Sequence, residues 1–321
     1  MQLAAAAQYA PQATLPGSTA ISATGGQFVG WASGCALYRG LQNIADPSLG
    51  LTIIGDNLSA TGPADREVVS LGDSGVAVLT FSHPIYNDAG ADFAVFENGF
   101  PNPADPTQAF LELAFVEVSS DGINYFRFPA SSNTQATTQV PGSGVYMDAS
   151  LLNNLAGKYI ASYGTPFDLQ ELAGTAGLDV NNVTHIRIVD VIGALSAHAS
   201  RDAAGNTIND PYPTNFPSGG FDLDAVGAIH QYGTAVKHIA SNISVRIFPN
   251  PATDNITVVV DHVLPTGLSA VITTTTGTVI QQSLITGSTT ILPLAQYPAG
   301  IYYLLLSDSN GNKWAEKIVK Y

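Results

Sequence analysis

The chain contains 321 residues with a formal net charge of −14, and only 11% of its residues are charged. Its 31 glycines and 19 prolines, together with many β-branched residues, favour strands and turns over helices. The acidic balance argues against nucleic acid as a partner, because nucleic-acid binding requires a basic surface.

The first part of the chain predicts short strands separated by turns rich in glycine and proline. Apolar and polar residues alternate most clearly at 75–81, and 185–192 is strongly β-branched. The predicted strands are 67–71, 75–81, 92–97, 109–119, 125–128, 185–192 and 221–230, with a short helix at 149–156 and a long polar loop at 199–220. Short strands with such connections are typical of a β-sandwich or jelly roll.

Charge and strand pattern change together near residue 237. Residues 1–236 carry 6 lysines and arginines against 21 acidic residues, whereas residues 237–321 carry 5 against 4. This difference predicts two domains, at 1–236 and 245–321, joined by a linker at 237–244. The second domain predicts strands at 245–248, 255–260, 269–274, 279–284, 289–294, 300–307 and 313–319. Such a series of short strands predicts a small immunoglobulin-like β-sandwich.

One cysteine, Cys35, is present, so no internal disulfide can form. Its apolar neighbours, which include Trp31 and Leu37, predict a buried thiol rather than a nucleophile. No apolar run approaches the roughly 18 residues of a membrane-spanning helix, so we expect no transmembrane segment.

The second domain carries a series of motifs in a characteristic order. They are Phe248-Pro249-Asn250-Pro251-Ala252, Thr276-Gly277, Gly300-Ile301-Tyr302 and Lys317-Ile318-Val319-Lys320. With these motifs the domain resembles the type A sorting domain of type IX secretion substrates in Bacteroidetes. Its prolines fix an extended entry that cannot donate ladder hydrogen bonds. The alternative is a generic sandwich that ends in an ordinary edge strand with lysines.

The resemblance implies a secreted protein of the outer-membrane surface whose partner is the type IX secretion machinery. Removal of the domain and attachment of the rest to surface glycolipid often follow export in this family. We expect the last strand to expose its two lysines to a receptor. The residues expected to form the sorting signal are Pro249, Asn250, Pro251, Gly300, Tyr302, Lys317 and Lys320.

A second series of motifs runs through the first domain. It comprises 69–73 (VSLGD), 92–99 (DFAVFENG), 116–122 (VEVSSDG), 163–169 (YGTPFDL), 210–213 (DPYP) and 219–226 (GGFDLDAV). With these motifs the domain resembles bacterial cell-surface proteins with a galactose-binding-like jelly roll, which implies an N-terminal jelly-roll β-sandwich. Some members are similar to the surface corrinoid-binding proteins that accompany vitamin B12 transporters. The resemblance therefore makes a corrinoid one candidate ligand.

Acidic residues within apolar strands form the first candidate site. Asp222 and Asp224 alternate onto one face of a predicted strand, where they repel each other unless a cation, a proton or donors intervene. Calcium takes six to eight oxygen ligands. The candidate ligands of a structural calcium ion are Asp92, Glu97, Asp190, Asp222 and Asp224. The equally open alternative is that each carboxylate separately binds loop amides.

Two proline-stiffened aromatic loops, 100–103 and 210–216, form the second candidate site. Prolines lower the ordering cost of binding, and aromatic rings offer flat apolar area to a sugar ring or a corrin. The candidate ligand-binding residues are Phe100, Asn102, Tyr163, Tyr212, Asn215 and Phe216. The alternative is that these residues cap the core of the sandwich.

These observations predict a surface binding protein that captures a corrinoid or a glycan. A structural or adhesive protein that binds other proteins or the envelope is the alternative. We expect no enzyme, because no catalytic triad, zinc-ligand spacing or phosphate-binding loop is present. A hydrolase that uses Glu97, Asp222 and Asp224 is the remaining hypothesis.

Overall fold

The computed structural model describes residues 9–232, 245–260, 267–275, 277–307 and 313–321. The chain divides into two compact units, Met1–Tyr232 and Gly233–Tyr321. The expected linker at 237–244 lies outside the described residues. In the described ranges, no helix is long and apolar enough to cross a membrane.

Short strands build the described part of the first unit. They are β1 (Ile21–Ser22), β2 (Gly30–Trp31), β3 (Gly34–Tyr38), β4 (Val69–Ser70), β5 (Val76–Ile85), β6 (Phe93–Glu97), β7 (Phe100–Asn102), β8 (Asp105–Phe110), β9 (Ala114–Ser119), β10 (Phe126–Arg127), β11 (Ser131–Ser132), β12 (Met147–Asp148), β13 (Leu152–Asn153), β14 (Tyr163–Phe167), β15 (Val183–Asp190) and β16 (Asp222–Ala228). The helical segments described are 3₁₀ turns at Pro47–Leu49, Ala149–Leu151 and Leu169–Leu172. The expected all-β class is therefore confirmed.

Two antiparallel sheets enclose the core of this unit. One has the order β1–β14–β6–β16–β2 with β4 also on β16, and the other has the order β10–β9–β15–β5–β3. Alternation places Leu79 and Ile188 of the second sheet in one buried cluster with Val95 and Val226 of the first. The sheets thus pack face to face as a β-sandwich.

Strands β1–β3, β7 and β14 lie outside the predicted set, and two predicted elements differ from the structure in extent or type. The predicted strand at 109–119 is interrupted, because β8 ends at Phe110 and β9 begins at Ala114. Between them the backbone N–H of Leu113 donates to a carboxylate oxygen of Asp210 rather than to a neighbouring strand (3.2 Å). The predicted helix at 149–156 is a single 3₁₀ turn followed by β13.

The long loop at 199–220, predicted to be polar, is partly folded into the unit. Ile208, Asn209 and Asp210 are almost fully buried. The Asn209 amide donates to the carbonyls of Gln135 (2.7 Å) and Thr138 (2.8 Å), so its polar atoms are satisfied inside the protein. This loop brings an acidic residue to the end of the sandwich.

The second unit is a smaller sandwich. Its described strands are β17 (Val245–Phe248), β18 (Asn255–Val260), β19 (Leu268–Thr274), β20 (Val279–Ile285), β21 (Thr289–Pro293), β22 (Gly300–Ser307) and β23 (Lys313–Lys320). One sheet has the order β17–β18–β21 and the other β20–β19–β22–β23. Ile256, Ile272 and Leu304 belong to the buried cluster of this unit. Every predicted strand boundary here lies within one residue of the observed one.

Candidate functional site

Strand ends gather acidic residues at one end of the first sandwich. Glu97 ends β6 opposite Leu223, next to Asp222 at the start of the antiparallel strand β16. Asp190 ends β15 opposite Ala114, the first residue of the antiparallel strand β9. A hydrogen bond joins the two sheets here, since the backbone N–H of Phe221 donates to Asp190 Oδ1 (2.7 Å).

We call the buried carboxylates at this place the acidic end. Its members are Asp73, Glu97, Glu112, Asp190, Asp210 and Asp222, all less than 10% exposed. The sequence pattern indicates Glu97, Asp190 and Asp222 but not the other three. Glu112 stands between two leucines, and a charged residue in that apolar setting was the available signal.

Backbone and side-chain donors hold most of these carboxylates. Glu97 Oε2 accepts the N–H of Gly99 (2.7 Å). Asp222 accepts the hydroxyl of Ser70 and the amide of Asn98, the latter at 2.9 Å. The second oxygen of Asp190 accepts the N–H of Ser74 (3.0 Å), and Asp73 accepts the N–H of Ile44 (2.7 Å).

Two carboxylates of the acidic end have fewer donors than the others. Asp210 Oδ1 is fully buried and has no hydrogen-bond partner, although its Oδ2 accepts the N–H of Leu113. The carboxylate of Glu112 accepts no hydrogen bond from any described residue, and Glu112 is only 7% exposed. Buried polar atoms without partners are uncommon in folded proteins, so Asp210 Oδ1 needs a physical explanation. The same holds for Asp224 Oδ2, outside the acidic end.

Burial and mutual repulsion oppose ionisation at the acidic end. Burial raises the pKa of Glu112 well above its ordinary value, and the charges of Asp222, Glu97, Asp210 and Asp190 raise it further. Burial similarly raises the pKa of Asp222 to about 6, against the lowering effect of its hydrogen bonds. Among the described residues, no lysine or arginine forms an ion pair with these carboxylates.

Two of the expected calcium ligands lie apart from the others. Asp92 precedes β6, about 16 Å along the strand from Glu97, and it accepts hydrogen bonds from His230 (2.7 Å) and from the N–H of Leu169 (2.6 Å). Asp224 Oδ1 instead accepts the N–H groups of Asp65 (3.1 Å) and Arg66 (3.2 Å). The five expected ligands are therefore not brought together around one point.

A surface cavity of about 690 Å³ opens beside the acidic end. Its lining includes Ser22, Thr24, Arg66, Asn98, Phe100 and Tyr163. Asn98 and Gly99 connect the two places, since both line the cavity and both donate to carboxylates of the acidic end. Its volume falls within the range of small-molecule sites in proteins.

The cavity combines an aromatic ring with fixed polar groups. Phe100 stacks on Phe110 with ring centroids 4.9 Å apart, and half of its surface remains exposed. Arg66 donates from Nε and Nη2 to Ser162 Oγ (3.2 and 3.0 Å), which leaves further guanidinium N–H groups available. Arg66 and Ser162 both have left-handed backbones, with φ of 75° and 70°. Such conformations in residues other than glycine concentrate at functional sites.

The remaining expected ligand-binding residues lie elsewhere. Asn102 closes the turn between β7 and β8, where its side chain contacts Gln108 (3.2 Å) and the N–H of Ala104 (3.0 Å). Tyr212 and Asn215 both bond to the side chain of Asn43, at 2.8 and 2.9 Å. Phe216 is half-exposed in the same loop. Of the six candidates, Phe100 and Tyr163 line the cavity.

The expected sorting residues of the second unit meet along its last strand. Asn250 donates to the carbonyl of Lys317 (2.6 Å) and accepts the N–H of Val319 (2.9 Å). The side chain of Asn250 therefore fastens the entry segment, with Pro249 and Pro251 on either side, to β23. Gly300 pairs with Lys320 in the ladder of β22 and β23, and the hydroxyl of the buried Tyr302 donates to the carbonyl of Pro298 (2.8 Å).

The expectation that both lysines of β23 are exposed is wrong for Lys320. Lys317 is exposed, but Lys320 is 9% exposed and donates from Nζ to the carbonyl oxygen of Tyr321 (3.0 Å). Side chains alternate along a strand, so residues three positions apart lie on opposite faces. Lys320 consequently shares the inner face with the buried Ile318.

Comparison with known proteins places the second unit in a family. Residues 246–321 match the family model described as "Secretion system C-terminal sorting domain". The chain is therefore a secreted or cell-surface protein. More particularly, this domain marks it as a substrate of the type IX secretion system of Bacteroidetes. No curated protein sequence matches the chain significantly.

Solved structures offer only a weak likeness. A β-glucuronidase from Ruminococcus gnavus in complex with a glucarolactam is 13% identical, with a TM-score of 0.22, over 91% of this chain and 44% of that one. A β-glucuronidase from Faecalibacterium prausnitzii is 12% identical, with a TM-score of 0.23, over 91% and 45%. The chain thus spans less than half the length of these enzymes. At such TM-scores the likeness supports no inference about activity.

Proposed function

We propose that this secreted protein binds a glycan in the cavity that Phe100 and Arg66 line. The observation that carries the proposal is the pairing of a half-exposed aromatic ring with a fixed guanidinium group in one cavity of about 690 Å³. The apolar face of a sugar ring packs on an aromatic side chain, while its hydroxyls need several donors and acceptors at the edge.

The polar lining supports a hydroxyl-rich ligand. Ser22, Thr24 and Asn98 supply side chains that both donate and accept hydrogen bonds. Asp224 fixes the backbone of Arg66, and Ser162 fixes its guanidinium group, so little ordering is needed on binding. A corrinoid is the other ligand class that the sequence left open, and it serves as the second probe.

The test is a glycan array followed by calorimetric titration of the full chain with the best-binding glycan, and a parallel titration with cyanocobalamin. Phe100→Ala should weaken glycan binding about tenfold, because the stacking surface is lost. Phe216→Ala is the matched control, since it removes a half-exposed ring outside the cavity and should leave the affinity unchanged. Saturable binding of neither probe would contradict a small-molecule role.

We also propose that the protein acts by binding rather than by turnover. The carboxylates of Glu97 and Asp222 are buried and accept hydrogen bonds from Gly99, Ser70 and Asn98. A glycosidase needs an acid and a nucleophile that face the substrate, so this arrangement does not suit those roles. Sustained hydrolysis of a panel of aryl glycosides, lost on Glu97→Gln, would contradict this.

An adhesive role is the second candidate, supported by a separate observation. Leu49, Leu51, Ile53, Ile54 and Leu58 are all exposed within one short segment. Clustered exposed apolar side chains are typical of surfaces that contact other proteins. Self-association in sizing experiments that is lost on Ile53→Ser with Leu58→Ser would favour this function over glycan capture.

A further inference from the structure

The cavity has a single charged side chain among the described residues that line it, and that side chain is Arg66. No carboxylate contributes to this lining. The surrounding unit is strongly acidic, since residues 1–236 carry 6 lysines and arginines against 21 acidic residues. A positively charged cavity is therefore not what the composition of this unit would provide by chance placement.

The other lysines and arginines of residues 1–236 bind carboxylate or carbonyl oxygens. Arg127 and Arg187 both form ion pairs with Glu117. The remaining three each donate to at least one backbone carbonyl, and they are Arg39, Lys158 and Arg201. By contrast, the guanidinium group of Arg66 donates only to the hydroxyl of Ser162 among the described residues.

The hydrogen bonds to Ser162 leave one edge of the Arg66 guanidinium group unused. Nε and Nη2 donate to the same hydroxyl oxygen, at 3.2 and 3.0 Å. A guanidinium group has five N–H donors, so two remain on Nη1 and one on Nη2. An edge with two parallel N–H groups matches the two oxygens of a carboxylate, which it binds in a bidentate manner.

Contacts within the protein hold this donor edge in place. Ser162, which orients the guanidinium group, also lines the cavity. Asp224 contacts Arg66 through the backbone N–H (3.2 Å), and no described carboxylate forms an ion pair with the side chain. The charge of Arg66 is thus positioned by neutral contacts and is not neutralised by a partner in the described chain.

We propose that the cavity selects sugars that carry a carboxylate, which the Nη1–Nη2 edge of Arg66 binds while the sugar ring packs on Phe100. This inference rests on the proposed glycan site and names the class of glycan. One guanidinium group matches the single charge of a carboxylate, whereas a phosphate monoester carries a charge of about −1.5 to −2. The net charge of the unit repels anions at longer range, so selection depends on the short bidentate contact.

The test is an array of glycans that contain uronic or sialic acids, printed beside the same glycans with the carboxylate reduced to an alcohol. We expect the full chain to bind members of the acidic set and to bind their reduced forms at least about tenfold more weakly in calorimetric titration. Equal affinity for both forms would overturn this inference and leave the proposed glycan site intact. The absence of binding to every glycan would contradict both.

Variants of Arg66 test whether this side chain makes the selection. Arg66→Gln should bind the acidic glycan about as weakly as it binds the reduced form, because the two losses remove the same contact. Arg66→Lys should recover only part of the preference, because it keeps the charge but loses the planar edge. Arg201→Gln is the matched control, since it changes the net charge equally at a residue outside the cavity lining and should keep the full preference.

Thermal unfolding of each variant without ligand shows whether the fold is kept. An undiminished preference for the acidic glycan in folded Arg66→Gln would overturn the role of Arg66. An equal loss of preference in Arg201→Gln would overturn it as well, because the effect would then come from net charge rather than from a contact in the cavity.

Discussion

Cys35 shows how one residue's environment sets its chemistry. It lies on β3 and packs against the core of the first unit, and burial raises the pKa of its thiol to about 11. The thiolate is the reactive form, so little of it exists near neutral pH. The apolar neighbours of Cys35 predict a buried thiol, and the structure shows a partly buried one.

We expect Cys35 to react slowly with Ellman's reagent at pH 8 in the native protein and rapidly after denaturation. The measurement is the rate of thiol release under the two conditions. Rapid native labelling would mean that the thiol is far more exposed or acidic than its packing indicates.

Lys158 is a buried cation, only 4% exposed, that donates to the carbonyl of Leu152 (2.7 Å). Burial lowers its pKa to about 8, from 10.5 in the unfolded chain. Between these values the unfolded state holds a proton that the folded state lacks, so this group's contribution to stability rises with pH.

The expected result is that the stability of the wild type relative to Lys158→Met increases from about pH 8 to about pH 10.5. Denaturant unfolding of both proteins across this range measures the difference, and tyrosine ionisation largely cancels between them. A flat difference would show that Lys158 remains hydrated.

At the scale of elements, close backbone approach fixes the start of β16. Gly220 has a φ of +72°, and a Cβ placed there would lie 2.7 Å from Asp190 Oδ1 and 3.0 Å from backbone atoms of Gly72. Gly90 has a similar φ of +86°, but a Cβ there would meet no atom within 4 Å. A substitution at Gly90 therefore reports the cost of the left-handed backbone alone. A substitution at Gly220 adds the cost of steric contact.

We expect Gly90→Ala to cost about 1–2 kcal/mol of unfolding free energy, which is the price of a left-handed alanine. Gly220→Ala should cost roughly 1–3 kcal/mol more, because the added methyl group must displace Asp190 or the Gly72 backbone. Chemical unfolding in chelator measures both. Equal costs would show that the end of the sandwich relaxes freely.

In the second unit, Asn250 fastens the entry segment to β23 through two hydrogen bonds with its backbone. Asn250→Ala should therefore lower the stability of this unit by about 1 kcal/mol. Asn255→Ala, at the exposed start of β18, is the control and should change little. Thermal unfolding of the full chain, followed by amide exchange at β23, provides the measurement.

At the scale of the whole molecule, the two units have separate buried clusters that share no residue. We expect a chain that ends at Tyr232 to keep the unfolding transition of the first unit but to stay inside the producing cell. Cell fractionation and surface proteolysis measure the second outcome. A reporter fused to residues 233–321 should reach the surface, while the reporter alone should not. Surface delivery of the shortened chain would contradict the role of the sorting domain.

Much of this architecture is local in origin and was predictable. Apolar alternation and turn pairs predict each strand of the second unit to within one residue, because both signals depend on the local sequence alone. The pattern at 109–119 predicts one strand because its apolar character continues through Leu111 and Leu113. Only the contact with Asp210 shows the break between β8 and β9. The alternation that predicts β23 also places Lys320 on the face opposite to that of Lys317, so exposure of both lysines is incompatible with one buried face.

The sequence by itself determined the all-β class and the sorting domain, and with it delivery to the cell surface. Only the tertiary structure decided which acidic residues meet and where a cavity opens. Strand order and loop burial bring Glu112 and Asp210 to Glu97 and Asp222, and they leave Asp92 at the far end of β6. Proximity across sheets depends on how strands are ordered in space, and local alternation carries no record of that order.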